Sequence, residues 1–435
     1  MNSDNRDVVV VGGGLAGLSA AAFLARAGRA VELVERRSEL GGRAATQERG
    51  GFLFNQGAHA LYAGGAAHAA LRDLGVAVSA RPPPLSGGFA LRRGRLHTLP
   101  VGTVSLLSTG LVGLRQKMQL ARLFAALPRI PPASWDGRPL AAFLVALGVD
   151  GVARELLEAL VRLTTYQDAP EALDAGAALR QLQCGQRPGV RYVDGGWGTL
   201  VAGLAEAARR FGAQISTGRG ARAIAPGGPG FIVSTADGGA LRCRAVVLAL
   251  APRAACMLLP EGAARALRTC AAAAVPIEAA CLDVALRALP RPASLFALGI
   301  DAPLYASVHS AVARLAPPGG ALVQLMKYLH PGGPPDETAE SELEALLERL
   351  QPGWREVVVE RRWFPRMTVA NALVRADAGG LAGRPPVRVE GLPGAFVAGD
   401  WVGSEGLLAD ASCASARSAA RSCLELLQPS REAAA

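Results

Sequence analysis

Three glycines and one acid come first among the residues whose type and spacing point to chemistry. Gly12, Gly14 and Gly17 follow the β-branched run Val8-Val9-Val10-Val11, and Glu35 ends the next apolar run, Val31-Glu32-Leu33-Val34-Glu35. The first run fits a buried parallel strand. Gly12 then permits a tight turn, Gly14 lets backbone approach a pyrophosphate, and Gly17 lets the next helix pack closely on the strand. That helix, expected from about Leu15 to Ala27 with Gly28 ending it, turns its positive end at Leu15 and Ala16 towards the phosphates. Glu35, with Arg36 beside it, sits where a carboxylate can accept both hydroxyls of an adenosine ribose. In a chain with 52 glycines, the strand–turn–helix–strand–acid order is what gives the G-x-G-x-x-G spacing its weight.

Further pieces suit the other half of a long dinucleotide. Leu40-Gly41-Gly42-Arg43-Ala44 would bring backbone amides and a guanidinium to it, and Gly51-Phe52-Leu53-Phe54-Asn55-Gln56-Gly57-Ala58-His59 follows. Far downstream, Ala395-Phe396-Val397-Ala398-Gly399-Asp400 ends an apolar strand on a carboxylate, and a small-residue helix opens around Ala409-Asp410-Ala411-Ser412. Together these pieces resemble the superfamily of flavin-containing amine oxidases, phytoene desaturases and protoporphyrinogen oxidases. The resemblance covers the framework of the chain and is loose over about 60–190 and 255–385. It implies FAD as cofactor, held by Gly12, Gly14, Leu15, Ala16, Gly17, Glu35, Arg36, Gly42, Arg43, Gly57, Ala58, His59, Ala221, Gly399, Asp400, Ala409 and Ala411. Asp400 would take a ribityl hydroxyl, and N–H groups around Ala409 to Ala411 would face the flavin carbonyl edge. In relatives the backbone at the Ala221 position meets the adenine. His59 reads either as a residue near the flavin or as a loop cap. Many members carry an acid where this chain has Asn55, a position that supports the loop.

Other chemistries are not evident. There is no Ser/His/Asp triad and no metal-ligand cluster. Seven cysteines show no C-x-x-C, and their dispersal fits reduced thiols in a cytoplasmic protein. Lysine occurs only as Lys117 and Lys327. Amine oxidases often place a lysine on a strand of the substrate sheet; the corresponding strand here, Val275 to Cys281, has none, and Lys327 reads as structural. Trp401 and Tyr166 are candidate aromatic walls for a substrate, and no catalytic side chain is assigned. The net charge of +10 permits attraction to anionic surfaces, but the arginines are scattered, with no basic run interleaved with aromatics, so nucleic acid is not an expected partner. No apolar stretch reaches the length of about 18 residues needed to span a bilayer. The nearest, Leu99 to Leu114, is broken by Pro, Gly, Ser and Thr and reads as a loop plus part of a cap helix, with peripheral membrane contact as the alternative.

To position these pieces, 435 residues must form more than one core. The expected fold is α/β: a Rossmann-like FAD-binding domain, discontinuous in sequence, with a second α+β substrate domain. The FAD-binding parts are assigned to 1–64, 191–253 and 386–428, a helical cap that is part of the substrate domain to 65–190, and the substrate-domain sheet to 254–385. Expected strands of that sheet are Ala279 to Leu286, Tyr305 to Ala311 and Ala321 to Tyr328. The Leu-rich cap suits a hydrophobic substrate better than a polar amine. The resulting expectation is an FAD-dependent oxidoreductase that abstracts hydride from an apolar small molecule, as phytoene desaturases do, and is reoxidised by oxygen, a quinone or another acceptor. An amine oxidase or protoporphyrinogen oxidase-like oxidase stays open. So do an NAD(P)-binding dehydrogenase, for which a second glycine fingerprint is missing, and a non-catalytic flavin-binding protein.

Overall fold

The computed structural model describes residues 5–84 and 86–428. Its first large sheet is built around the strand Asn5–Val11, which lies parallel between Val31–Val34 and Ala240–Leu248, with Gln214–Ser216 beyond Val31–Val34. Val8, Val9 and Val10 are fully buried, because helices cover both faces of the strand. This is why the run is continuous and does not alternate. One half of Ala240–Leu248 pairs parallel with Ala395–Val397, and the other pairs antiparallel with Gly230–Thr235, which continues the sheet to Ala221–Gly227.

Helices Leu15–Arg26, Gly198–Arg210 and Leu408–Leu427 share the core on one face of this sheet. Their contact residues are largely alanine, including Ala20, Ala21, Ala22, Ala416, Ala419 and Ala420, and small side chains let helix axes approach closely. Pro252–Leu258 and Arg265–Ala273 cover the other face.

The second large sheet runs in the order Val358–Ala370, Ile277–Leu286, Ala321–Tyr328, Leu304–Val308, Phe296–Gly299, Gly88–Arg92, Arg95–Thr98. Helix Ala339–Leu350 seals one face through Leu343, Leu346, Leu347 and Leu350, an i, i+3, i+4, i+7 stripe. The other face carries Cys281, Tyr305, Met326 and Tyr328. Helices Leu114–Ala126, Leu140–Ala146, Gly151–Thr165 and Ala175–Gln186 form a separate leucine-rich core against Leu298 of this sheet and Ile300 just beyond its strand.

The stretch assigned to a helical cap, 65–190, is not wholly helical. Its hairpin Gly88–Arg92 and Arg95–Thr98 extends the second sheet by pairing parallel with Phe296–Gly299. The turn is Arg93-Gly94, both at positive φ, and it lacks the Asn-Gly or Asp-Gly signal that marks such hairpins in sequence. Helix Ala66–Asp73 packs through Ala67, Ala70 and Leu71 into the core of the first sheet. Among the described residues no helix is long and apolar enough to cross a membrane.

Candidate functional site

The three fingerprint glycines are required for three different reasons. Gly12 adopts φ +107, and a Cβ there would lie 2.5 Å from the Ala249 carbonyl oxygen. At Gly17 a Cβ would fall 1.8 Å from the Gly12 carbonyl oxygen, so this glycine sets the distance between helix and strand and does not line the cavity described below. Gly14 is the opposite case: the nearest atom to a Cβ there is the Gly41 carbonyl oxygen at 3.9 Å. It borders a cavity of about 530 Å³, and a side chain at Gly14 would occupy that space.

The cavity wall brings together Gly12, Gly14, Leu15, Ala16, Glu35, Arg36, Gly42, Arg43, Ala58, His59, Gly399, Asp400 and Ala409. Gly41 donates its N–H to the Gly13 carbonyl at 2.8 Å, which holds the second glycine loop against the first. Glu35 accepts the Gly13 N–H at 2.7 Å through Oε2 and the Arg37 N–H at 2.8 Å through Oε1. Each carboxylate oxygen keeps a lone pair, so the acid still has capacity for two hydroxyl donors.

Arg43 reaches across from its turn to Asp400 at the end of the strand Ala395–Val397. Its Nη1 donates to Asp400 Oδ2 at 2.8 Å and to the Val369 carbonyl at 2.7 Å. Asn371 completes the arrangement, its N–H reaching Oδ2 at 3.1 Å and its side-chain amide reaching Oδ1 at 2.8 Å. Burial of Asp400 opposes ionisation, but the Arg43 charge and the hydrogen bonds from Arg43 and Asn371 outweigh it and hold the carboxyl below its usual range. The Arg43 side chain is 41% exposed, in keeping with a guanidinium that also faces the cavity.

Four expected residues sit outside the cavity wall. Gly17 lies at the helix–strand contact, against the Gly12 carbonyl. Gly57 adopts φ +75, and its carbonyl accepts the Gln324 side-chain amide at 3.0 Å, so it shapes the loop from behind. Ala221 turns its methyl towards the core on the far face of the first sheet; its neighbour Gly220 abuts Arg36 instead. Ala411 is fully buried, and its N–H is turned to the Leu407 carbonyl, as is that of Asp410; its hydrogen bonding closes the first turn of the helix.

His59 combines its two readings. Its Nδ1 lies 3.0 Å from the Gly57 carbonyl, and its ring packs at 4.7 Å on Trp197 in the cavity wall. Burial lowers its pKa, so the ring is neutral near pH 7. Asn55 supports the loop: its Oδ1 accepts the Trp197 backbone N–H at 2.9 Å and the Thr46 hydroxyl at 2.7 Å. Trp401 is no substrate wall; it is buried, and its indole N–H donates to the Leu250 carbonyl at 3.0 Å. Tyr166 does line the cavity, with Tyr62, Met326 and Met367.

The family profile described as "Flavin containing amine oxidoreductase" matches residues 15–424. The chain belongs to that family. An oxidoreductase from Methanosarcina mazei shares its fold, with a TM-score of 0.75, 21% identity, and coverage of 96% of this chain and 99% of that one. A putrescine oxidase solved with putrescine gives a TM-score of 0.72 at 15% identity, covering 97% and 99% of the two chains. Carotenoid 3,4-desaturase of Haloarcula japonica is 57% identical over 51 residues, which span 12% of this chain and only 10% of that protein.

As a member of this family the chain is an FAD-dependent oxidoreductase, and its cavity fits the cofactor. Gly14 leaves an open cradle, the helix Leu15–Arg26 presents its N-terminus, and Glu35 and Asp400 each retain an acceptor site at different parts of the wall. Asn371, Trp197, Tyr62, Met326 and Met367 were not singled out in the sequence as site residues. Of these, Trp197 alone carried a local signal, its glycine-rich flank Gly195-Gly196-Trp197-Gly198.

Proposed function

We propose that this flavin oxidoreductase dehydrogenates an apolar small molecule, in the manner of a desaturase. The observation that carries the proposal is the character of the wall formed by Tyr62, Tyr166, Met326 and Met367. The two phenols are engaged with backbone: Tyr62 donates to the Thr164 carbonyl at 2.8 Å and Tyr166 to the Ala58 carbonyl at 3.1 Å. Burial raises both phenol pKa values, so they stay neutral where they border the cavity.

Among the described residues no lysine borders the cavity. Lys327 follows Met326 on the strand Ala321–Tyr328 and points to the other face, where its ammonium lies 2.7 Å from both Asp336 and Glu342. A protonated amine would seek a carboxylate on the substrate side, whereas the acceptor sites left on Glu35 and Asp400 suit the cofactor. Glu35 holds two amides, Asp400 holds Arg43 and Asn371, and Asp410 accepts the Ala67 N–H at 2.8 Å.

FAD, when bound, supplies a ring that accepts a hydride equivalent. The chain holds and orients: Gly14 and the Leu15–Arg26 N-terminus suit the diphosphate, Glu35 the ribose, and Arg43 with Asp400 the middle of the cofactor. The methionines and tyrosine rings exclude water and shape the substrate side. Oxygen, a quinone or another acceptor takes the electrons onward, in a cytoplasmic or membrane-peripheral setting.

Anaerobic flavin bleaching across a substrate panel tests the proposal. Polyene or cyclic hydrocarbons are expected to bleach the flavin, with reoxidation accelerated by an added quinone. Bleaching by putrescine or another simple amine, with peroxide released in air, would assign the chain to amine oxidation instead.

A further inference from the structure

The sixty-two residues from Leu74 to Trp135 contain eight arginines and lysines and no aspartate or glutamate, although the chain has 36 acids in all. Within this run the fold exposes apolar side chains. Val104 and Leu107, one turn apart on the short helix Thr103–Ser108, are 80% and 67% exposed. Leu114 and Met118, one turn apart on the next helix, are 74% and 51% exposed, and Val101 before the first helix is also exposed. Spacings of three and four place each pair on one helical face.

The two helices are joined: Lys117 Nζ donates to the Leu107 carbonyl at 2.5 Å, closing the C-terminal end of the short helix. Leu106, Leu111, Leu120 and Leu123 anchor the same segments in the leucine-rich core. The exposed set is therefore the side turned away from that core. Isolated exposed apolar residues are ordinary, but five within one short segment mark an interaction surface. Arg115 and Arg122, both exposed, stand among them.

We propose that this face docks on an anionic lipid surface. Apolar side chains enter the headgroup boundary while arginines meet lipid phosphates, which is the composition of an interfacial contact and not of a spanning one. Arg92 is paired with Glu155 from outside the run, but the segment that carries the exposed apolar side chains, 101–122, holds Arg115, Lys117 and Arg122 and no acid, and this charge complementarity selects an anionic bilayer over a protein partner of mixed charge. The proposal stands independently of which substrate the cavity takes.

Vesicle flotation of the FAD-loaded protein tests it, with phosphatidylcholine–phosphatidylglycerol vesicles against pure phosphatidylcholine. Binding is expected to the anionic vesicles, to weaken with added salt, and to fall about tenfold or more in Val104→Asp/Leu107→Asp and in Arg115→Glu/Arg122→Glu. Flavin content and thermal midpoint should stay at parent values, since all four side chains are exposed. Failure of the parent to float, equal flotation with neutral vesicles, or parent-like flotation of both variants would overturn the proposal. So would a sedimenting dimer that dissociates in Val104→Asp/Leu107→Asp, because a second copy would then cover this face.

Discussion

Arg43 and Asp400 are separated by 357 residues in sequence and by 2.8 Å in space. Their pair ties the glycine turn after the second strand to the end of the strand Ala395–Val397, so the first and last parts of the cofactor cavity hold one another in place. Asp400 is almost fully buried, whereas Arg43 is partly exposed. The carboxylate depends on the arginine more than the reverse, because a buried charge without a partner is costly.

Removing that partner should make cofactor retention sensitive to mild acid. In the parent, Asp400 has a depressed pKa, so its contribution is complete above the ordinary carboxylate range and fades only as pH falls through the depressed value. In Arg43→Ala burial dominates and the pKa rises. FAD affinity should then drop by about 1–3 kcal/mol, more steeply at about pH 5 than at about pH 8. Flavin absorbance after gel filtration at the two pH values measures this; parent-like retention at both would remove Arg43 from the account.

Gly14 and Gly17 should fail differently when enlarged. Gly14→Val meets open space and ordinary backbone angles, φ −81 and ψ −174, so the fold should persist while FAD is lost. Gly17→Val drives a side chain into the Gly12 carbonyl and should destabilise the fold itself by several kcal/mol, on the order of an overpacked core. Circular dichroism melting and flavin stoichiometry separate the two. A Gly14→Val protein that keeps FAD would mean the pyrophosphate lies elsewhere.

Lys327→Met should leave flavin reduction unchanged and lower stability by no more than about 1 kcal/mol, because its two carboxylate partners lose their cation but are exposed enough for water to solvate them. Burial alone would lower the Lys327 pKa, but hydrogen bonds to Asp336 and Glu342 raise it, so the pairing holds below about pH 10 and weakens as pH climbs through the raised value. Stopped-flow reduction and thermal melts check both halves. A large loss of reduction rate with unchanged stability would place Lys327 in the chemistry.

What was legible in the sequence was local. The run Val8 to Val11, the three glycines and Glu35 encode strand, turn, helix and acid within 28 residues, each through backbone requirements that only certain residue types meet. Pairings across the fold were not legible. Nothing in Asp400 names Arg43 or Asn371 as its partner, and nothing in Trp401 says that its ring packs in the core and not on the cavity. The hairpin at Arg93-Gly94 escaped because its turn carries no strong dipeptide signal and its pairing partner, Phe296–Gly299, lies two hundred residues on. The acid-free run from Leu74 to Trp135 is plain in the sequence, yet it gains meaning only once Val104, Leu107 and Leu114 are seen to be exposed.

Asp410 should destabilise the folded protein at neutral pH, and Asp410→Asn should relieve it. Burial pushes this carboxyl up to about 6; the Ala67 N–H and His68 act in the opposite sense, while Glu405 adds to the rise. A carboxyl raised from about 4 in the unfolded chain binds its proton more tightly when folded, so stability falls as pH rises between those two values. Two pKa units correspond to at most about 3 kcal/mol, fully expressed above about pH 6. Asparagine keeps an oxygen for the Ala67 N–H, which Asp410 now accepts at 2.8 Å, and removes the buried charge. It also preserves the tight approach of Gly65, where a Cβ would lie 2.1 Å from Asp410 Oδ1, so Gly65→Ala should undo the contact in either background. Thermal unfolding of parent and Asp410→Asn should nearly coincide at about pH 4 and separate in favour of the variant at about pH 8. A variant that is less stable than the parent at the higher pH would show that the Asp410 charge is held by partners stronger than its burial.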